Sequence, residues 1–138
     1  MSDRAFVDTN VLVYLFDGDA PAKRRRARAL IAALGPSMVI STQVLQEFYV
    51  SVTRKLEKPL APADAEAALR DLAALDVVVV DVPIIHAAVT LSRRHQLSLW
   101  DSLIVESAKA RGCARLFSED LQHGQAFGGI RVENPFVE

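Results

Sequence analysis

One cysteine, three histidines and one tryptophan among 138 residues exclude several chemistries at the outset. Cys113 has no partner for an internal disulfide and cannot build a Cys-rich zinc site, which points to a reducing compartment. His86, His95 and His123 lack His-x-x-His or similar ligand spacing and read as surface or core residues. No apolar run approaches the ~18–20 residues that span a bilayer. The first apolar stretch, Ala5 to Phe16, is broken by Asp8-Thr9-Asn10 and has neither a basic lead-in nor a small-residue cleavage site, so no signal peptide is expected. Charge of one sign is missing too: 16 Lys and Arg against 17 Asp and Glu give −1. A uniformly basic nucleic-acid binder is thereby excluded, though a local basic face is not. Repeats, low-complexity tracts and linkers are also lacking. What remains is 51% apolar, too apolar for disorder, and of a length that suits one domain, expected to be soluble and cytoplasmic.

Short apolar runs alternate with helical patterns along the chain. Ala5-Phe6-Val7 reads as a strand ended by Asp8, and Asn10 to Phe16 as a helix stopped by Asp17-Gly18. Pro21 opens a second helix that ends at Gly35. Met38-Val39-Ile40 is a strand leading into a helix with Val44, Leu45, Phe48, Tyr49 and Val52 on one face. Pro62 opens a helix whose buried stripe is Ala65, Leu69, Leu72 and Leu75, and Val77 to Val80 reads as a fully buried strand. Helices from Pro83 to His95 and from Ser98 to Arg111 come next, the latter closed by Gly112. Leu116-Phe117 is a strand, and Ile130-Arg131-Val132 an edge strand. This alternation predicts an α/β domain with a mostly parallel central sheet flanked by helices, in which ligands bind beyond the carboxyl ends of the strands.

Acids stand at those ends. Asp8 follows the first strand, and Ser118-Glu119-Asp120 follow Leu116-Phe117. At 100° per residue Glu47 flanks the apolar stripe of its helix. Asp101 flanks a stripe of Trp100, Leu103, Ile104 and Ser107, while Glu106 falls on the far, solvated side. Each acid also has a plain structural reading. Asp8 could cap a helix, Ser98-Leu99-Trp100-Asp101 fits a capping box, Glu47 could be a boundary residue, and Asp120 could cap the segment after it. Together they imply more. Two like charges ~4 Å apart at an effective dielectric near 20 cost about 4 kcal/mol. Several such pairs would consume much of a domain's ~5–15 kcal/mol of net stability. Convergence therefore requires protonation or a divalent cation, and oxygen donors favour Mg²⁺ or Mn²⁺.

Four segments carry a family resemblance. Phe6-Val7-Asp8-Thr9-Asn10-Val11, Val39-Ile40-Ser41-Thr42-Gln43-Val44-Leu45-Gln46-Glu47-Phe48, Leu99-Trp100-Asp101-Ser102-Leu103-Ile104-Val105 and Leu116-Phe117-Ser118-Glu119-Asp120 occur in order over nearly the whole chain. In these the chain resembles PIN-domain ribonucleases, in particular the small toxins of VapBC-type toxin–antitoxin pairs. The resemblance implies a single PIN-like domain over residues 1–138 with a three-layer α/β/α fold. It implies that Asp8, Glu47, Asp101 and Asp120 are the catalytic, metal-binding acids. Asp120 rather than Glu119 fills the fourth position, two residues after Ser118. Asn10 and Ser118 would orient the carboxylates through hydrogen bonds, with Thr9 a local turn and hydrogen-bonding residue. The implied chemistry is Mg²⁺- or Mn²⁺-assisted hydrolysis of RNA phosphodiester bonds, leaving a 5′-phosphate and a 3′-hydroxyl. A cognate antitoxin covering the site and a homodimer are implied as partners, and no membrane.

Removing four negative charges from −1 leaves the remaining residues at +3. Lys23, Arg24, Arg25, Arg26 and Arg28 supply much of this from one helix, whose buried side is Ala27, Leu30, Ile31 and Leu34. They read either as phosphate contacts along an RNA groove or as an ordinary solvated face. Arg54, Lys55, Arg93 and Arg94 are further candidates for such contacts. Tyr14, Phe16, Tyr49 and Trp100 are expected to pack in the core or an interface rather than stack on bases. Two other functional classes stay open. A non-catalytic PIN-like interaction module would keep the acids without turnover. A haloacid-dehalogenase-like phosphatase would place an acid two residues beyond Asp8, where this chain has Asn10, and also needs a strand-end lysine that is missing.

Overall fold

The computed structural model describes residues 3–137. Six strands make one sheet in the order β3-β2-β1-β4-β6-β5. In chain order these are β1 (Ala5–Val7), β2 (Met38–Ser41), β3 (Asp76–Val78), β4 (Arg115–Phe117), β5 (Ala126–Phe127) and β6 (Ile130–Glu133). Every pairing is parallel except that of β5 with β6. The helices are α1 (Thr9–Val13), α2 (Pro21–Leu34), α3 (Thr42–Arg54), α4 (Pro62–Ala73), α5 (Val82–His95) and α6 (Leu99–Ala110).

The topology follows from where the apolar side chains are concentrated. β1 and β2 are buried throughout, so they take the middle of the sheet. The core around them includes Phe6, Leu12, Ile40, Phe48 and Leu116, each excluded from solvent and each contributing roughly 1.5–3 kcal/mol through burial. From β1 the chain adds β2 and β3 on one side, then returns to place β4 on the other. This reversal opens a crevice at the carboxyl ends of β1 and β4, where open parallel sheets bind ligands. Caps fix the helix starts there: Asp8, Ser41, Asp81 and Ser98 each accept a backbone N–H of the helix they precede. Gly35, at φ +52°, ends α2 in a conformation costly for other residues.

Several elements differ from expectation. The run Val77 to Val80 is not a fully buried strand: β3 is Asp76–Val78 at the sheet's edge, and Val79 is 65% exposed. β-branching favours extended backbone whether or not both faces are covered, so four such residues do not by themselves specify a central strand. Ile130–Val132 is not an edge strand, because β6 lies between β4 and β5. Of the proposed stripe only Ala65 is fully buried, while Leu69, Leu72 and Leu75 are partly buried against the core, since α4 packs chiefly on α3. Glu106 is not solvated: its side chain is 14% exposed and pairs with Lys109 at 3.4 Å. Trp100, assigned to the buried stripe of α6, is 63% exposed.

Candidate active site

A cleft of about 590 Å³ opens at the predicted crevice, within the size range of ligand sites. Asp8, Glu47, Asp101 and Asp120 all line it. They arrive from the end of β1, the second turn of α3, the first turn of α6 and the loop after β4. No histidine or cysteine lines the cleft, so its candidate ligand atoms are oxygens.

Asp8 is the anchor of the group. Its backbone N–H donates to the Phe117 carbonyl at 2.9 Å, which fastens the end of β1 to β4. Oδ1 accepts the Thr9 N–H at 2.7 Å, and Oδ2 accepts the Ser118 hydroxyl at 2.8 Å. One side chain thus caps α1 and stands in the lining of the cleft. Only 4% of Asp8 is exposed. Burial lifts its pKa from 3.8 to about 7, against the two hydrogen bonds that lower it and with further lift from Asp120 and Glu47. Ser118 is fully buried, and its Oγ also accepts the backbone N–H groups of Asp120 and Leu121 at 3.2 and 3.3 Å. One hydroxyl therefore orients Asp8 and shapes the turn that presents Asp120.

Glu47 is held by Thr9, whose Oγ1 donates to Oε1 at 2.8 Å. Gln43, one turn earlier on α3, donates from Nε2 to Glu47 Oε2 at 3.4 Å and to the Trp100 carbonyl at 3.2 Å. Gln43 is a buried residue whose role the sequence reading missed, although it sits four residues before Glu47 on the same helical face. Asp101 donates its N–H to Ser98 Oγ at 3.0 Å, as the capping box predicts. Burial raises its pKa first and the charges of Asp120 and Glu47 raise it further, while Ser98 lowers it. The acids thus feel one another electrostatically. Among the described residues, however, no three His, Cys, Asp or Glu side chains are gathered tightly enough to grip one ion.

The orienting residues only partly follow expectation. Ser118 fulfils its part. Thr9 does more than shape a turn, since it holds Glu47. Asn10 lines the cleft, but its side chain hydrogen-bonds to none of the acids.

Glu119 points elsewhere, accepting the Tyr14 hydroxyl at 2.6 Å and pairing with Lys23 at 2.5 Å. Lys23 is thereby engaged with an acid and lies over the Tyr14 and Phe136 rings, 4.9 and 5.6 Å from their centroids. Of the other basic residues on α2, Arg26 reaches the Val137 carbonyl at 3.3 Å, Arg24 is half-buried, and Arg25 and Arg28 are exposed. None of the five lines the cleft; Lys55, at the end of α3, does.

No curated protein sequence matches the chain. A family model described as the PIN domain matches residues 5–126. Among solved structures, a toxin–antitoxin complex from Klebsiella pneumoniae aligns with a TM-score of 0.73 at 22% identity, covering 96% of this chain and 98% of that one. VapC20 of Mycobacterium tuberculosis, described as a sarcin–ricin loop cleaving toxin, aligns at 0.69 with 26% identity, covering 84% and 91%. A DNA-bound VapBC from Salmonella typhimurium aligns at 0.67 with 22% identity, covering 96% and 98%. The family match runs from β1 to the first residue of β5 and takes in all four segments that bring an acid to the cleft, so the chain belongs to the PIN domain family.

Proposed function

We propose that the chain is a divalent-metal-dependent endoribonuclease and the toxin of a toxin–antitoxin pair, acting through Asp8, Glu47, Asp101 and Asp120. The observation that carries this reading is the meeting of those four carboxylates in one cleft, from segments scattered over the chain. Family membership and the similarity to VapC toxins support it.

The donor set fits a hard cation, since every acid offers oxygen and neither histidine nor cysteine faces the cleft. Such an ion, when bound, supplies Lewis-acid activation of water and neutralises charge building on the phosphate. The chain's own residues prepare for it. Ser118 and the Thr9 N–H fix both oxygens of Asp8, and the Thr9 hydroxyl with Gln43 fixes Glu47. Orientation by hydrogen bonds of this kind tunes a ligand's affinity. Asp101 and Asp120 complete the set from the first turn of α6 and the loop after β4. Glu119, tied to Lys23 and Tyr14, stays out of the set.

RNA is the substrate in this reading, and a co-encoded antitoxin and a second copy of the chain are its protein partners in the cytoplasm. Among the described residues no helix is long and apolar enough to cross a membrane. The test is cleavage of end-labelled RNA by the purified chain with Mg²⁺ or Mn²⁺, with and without EDTA. Asp8→Asn and Asp101→Asn should abolish cleavage while circular dichroism shows the fold retained. Turnover that survives EDTA, or that both variants keep, refutes the proposal; inactivity of the wild type supports a binding module instead. Growth arrest on expression, relieved by the neighbouring open reading frame, checks the toxin assignment.

A further inference from the structure

The cleft that gathers the acids is poorly equipped to hold RNA by charge. Five carboxylates line it, the fifth being Asp17, against one cationic side chain, Lys55. A polyanionic strand needs a contact there that does not depend on charge, and the wall beside Asp101 offers one. Trp100 lines the same cleft and is 63% exposed. Val50, on α3, is 45% exposed and also lines the cleft.

The backbone under this ring is fixed. Trp100 lies in the first turn of α6, capped by Ser98, and its carbonyl accepts the Gln43 side chain, which also reaches Glu47. Both partners of that amide nitrogen are acceptors, so the orientation of the amide is determined. Gln43 thus ties the backbone that carries the indole to an acid. A tryptophan side chain has only two rotatable bonds and loses little freedom when a partner covers it. Every nucleobase has a π face, and stacking on an aromatic ring is worth about 1–3 kcal/mol per base with little dependence on sequence. A base paired inside a duplex is already stacked on its neighbours and cannot offer that face without being turned out.

We propose that Trp100 is the platform on which an unpaired nucleobase of the substrate stacks, holding the adjoining phosphodiester over the acids. This deepens the ribonuclease reading and rests on it. Trp100 is a positioning residue for the strand and takes no part in the bond cleavage.

The chain has one tryptophan, so fluorescence excited selectively at tryptophan, beyond tyrosine absorption, reports this ring alone. The Asp8→Asn chain in Mg²⁺ is titrated with an end-labelled single-stranded oligoribonucleotide, with the same strand in duplex, and with a strand carrying abasic sites. Single-stranded RNA should quench Trp100 in step with the rise in label anisotropy. The abasic strand should bind roughly ten- to a hundredfold more weakly and quench little, with the duplex also weaker. In the active chain Trp100→Ala should raise KM by a similar factor with kcat nearly unchanged, and Trp100→Phe should recover most of the loss. The ring is exposed, so its truncation opens no cavity, and circular dichroism checks the fold. Anisotropy that rises without quenching, or an unchanged KM in Trp100→Ala, overturns the platform while leaving the nuclease reading intact. An unchanged KM with lost protein association assigns the ring to a protein contact and overturns it equally. A wild-type chain that neither binds nor cuts RNA overturns both readings.

Discussion

Asp8→Asn should stabilise the protein in EDTA at pH 8 even as it abolishes cleavage. The buried carboxyl has its pKa raised from 3.8 to about 7. A group with a raised folded pKa binds more protons folded than unfolded, so its contribution to stability falls as pH climbs from about 4 to about 7. The cost is complete above pH 7 and, at about 1.4 kcal/mol per pKa unit, amounts to about 4 kcal/mol. At pH 5, little more than one unit above the unfolded value, it is only ~1.6 kcal/mol. Asparagine carries no charge at either pH, but its amide nitrogen cannot accept the Ser118 hydroxyl that now bonds Oδ2. Losing that bond costs about 1 kcal/mol at both pH values, because the protonated carboxyl makes it without charge and the charge-assisted part is already contained in the pKa. The variant should therefore be ahead by less than about 1 kcal/mol at pH 5 and by about 3 kcal/mol at pH 8. For a domain of this size the difference at pH 8 is roughly 9–15 °C in Tm. Thermal unfolding followed by circular dichroism, both chains in EDTA at pH 5, 6, 7 and 8, measures the difference directly. A Tm difference that stays flat across this range, or that favours wild type increasingly toward pH 8, refutes the assignment of a buried, strained carboxylate to Asp8.

Four other outcomes rest on contacts in and around the cleft. Adding Mg²⁺ at 100 times its Kd should stabilise the wild type by about 2.7 kcal/mol and the Asp8→Asn chain by far less, as read from Tm at pH 8; an equal shift in both would place the ion elsewhere. Ser118→Ala removes a hydrogen bond that lowers the Asp8 pKa, so the Asp8 titration followed by NMR should move upward. The loss of stability should then be larger at pH 8 than at pH 5, by denaturant melts. Thr9→Val keeps the shape at that position but frees Glu47, and should weaken Mg²⁺ binding ~10–100-fold by calorimetry. Lys23→Met should leave cleavage and its salt dependence close to wild type because Lys23 is paired with Glu119, whereas Lys55→Met should raise KM; the reverse result would return the substrate path to α2.

The acids illustrate what is local in a sequence and what is not. That Asp8 follows a strand, that Ser98 caps a helix and that Glu47 flanks an apolar stripe are matters of spacing along a few residues, fixed by 100° per residue in a helix and by alternation in a strand. The sequence by itself therefore determined the α/β class, the parallel strands, two carboxylates after strand ends and two on the flanks of helix stripes. It could not decide burial. Val77 to Val80 and Trp100 have the composition of core segments, yet Val79 and the indole face water, because exposure depends on which element packs alongside. Nor could it decide pairing over long separations. Ser118 reaches Asp8 across 110 positions, Thr9 reaches Glu47 across 38, and Lys23 meets Glu119 across 96. Those contacts gave Lys23 an acid as partner, gave Thr9 a carboxylate to hold and left Asn10 without one. Side-chain polarity is written in the chain; which polar groups lose their water, and to whom they then bond, was decided only when the sheet brought distant segments together.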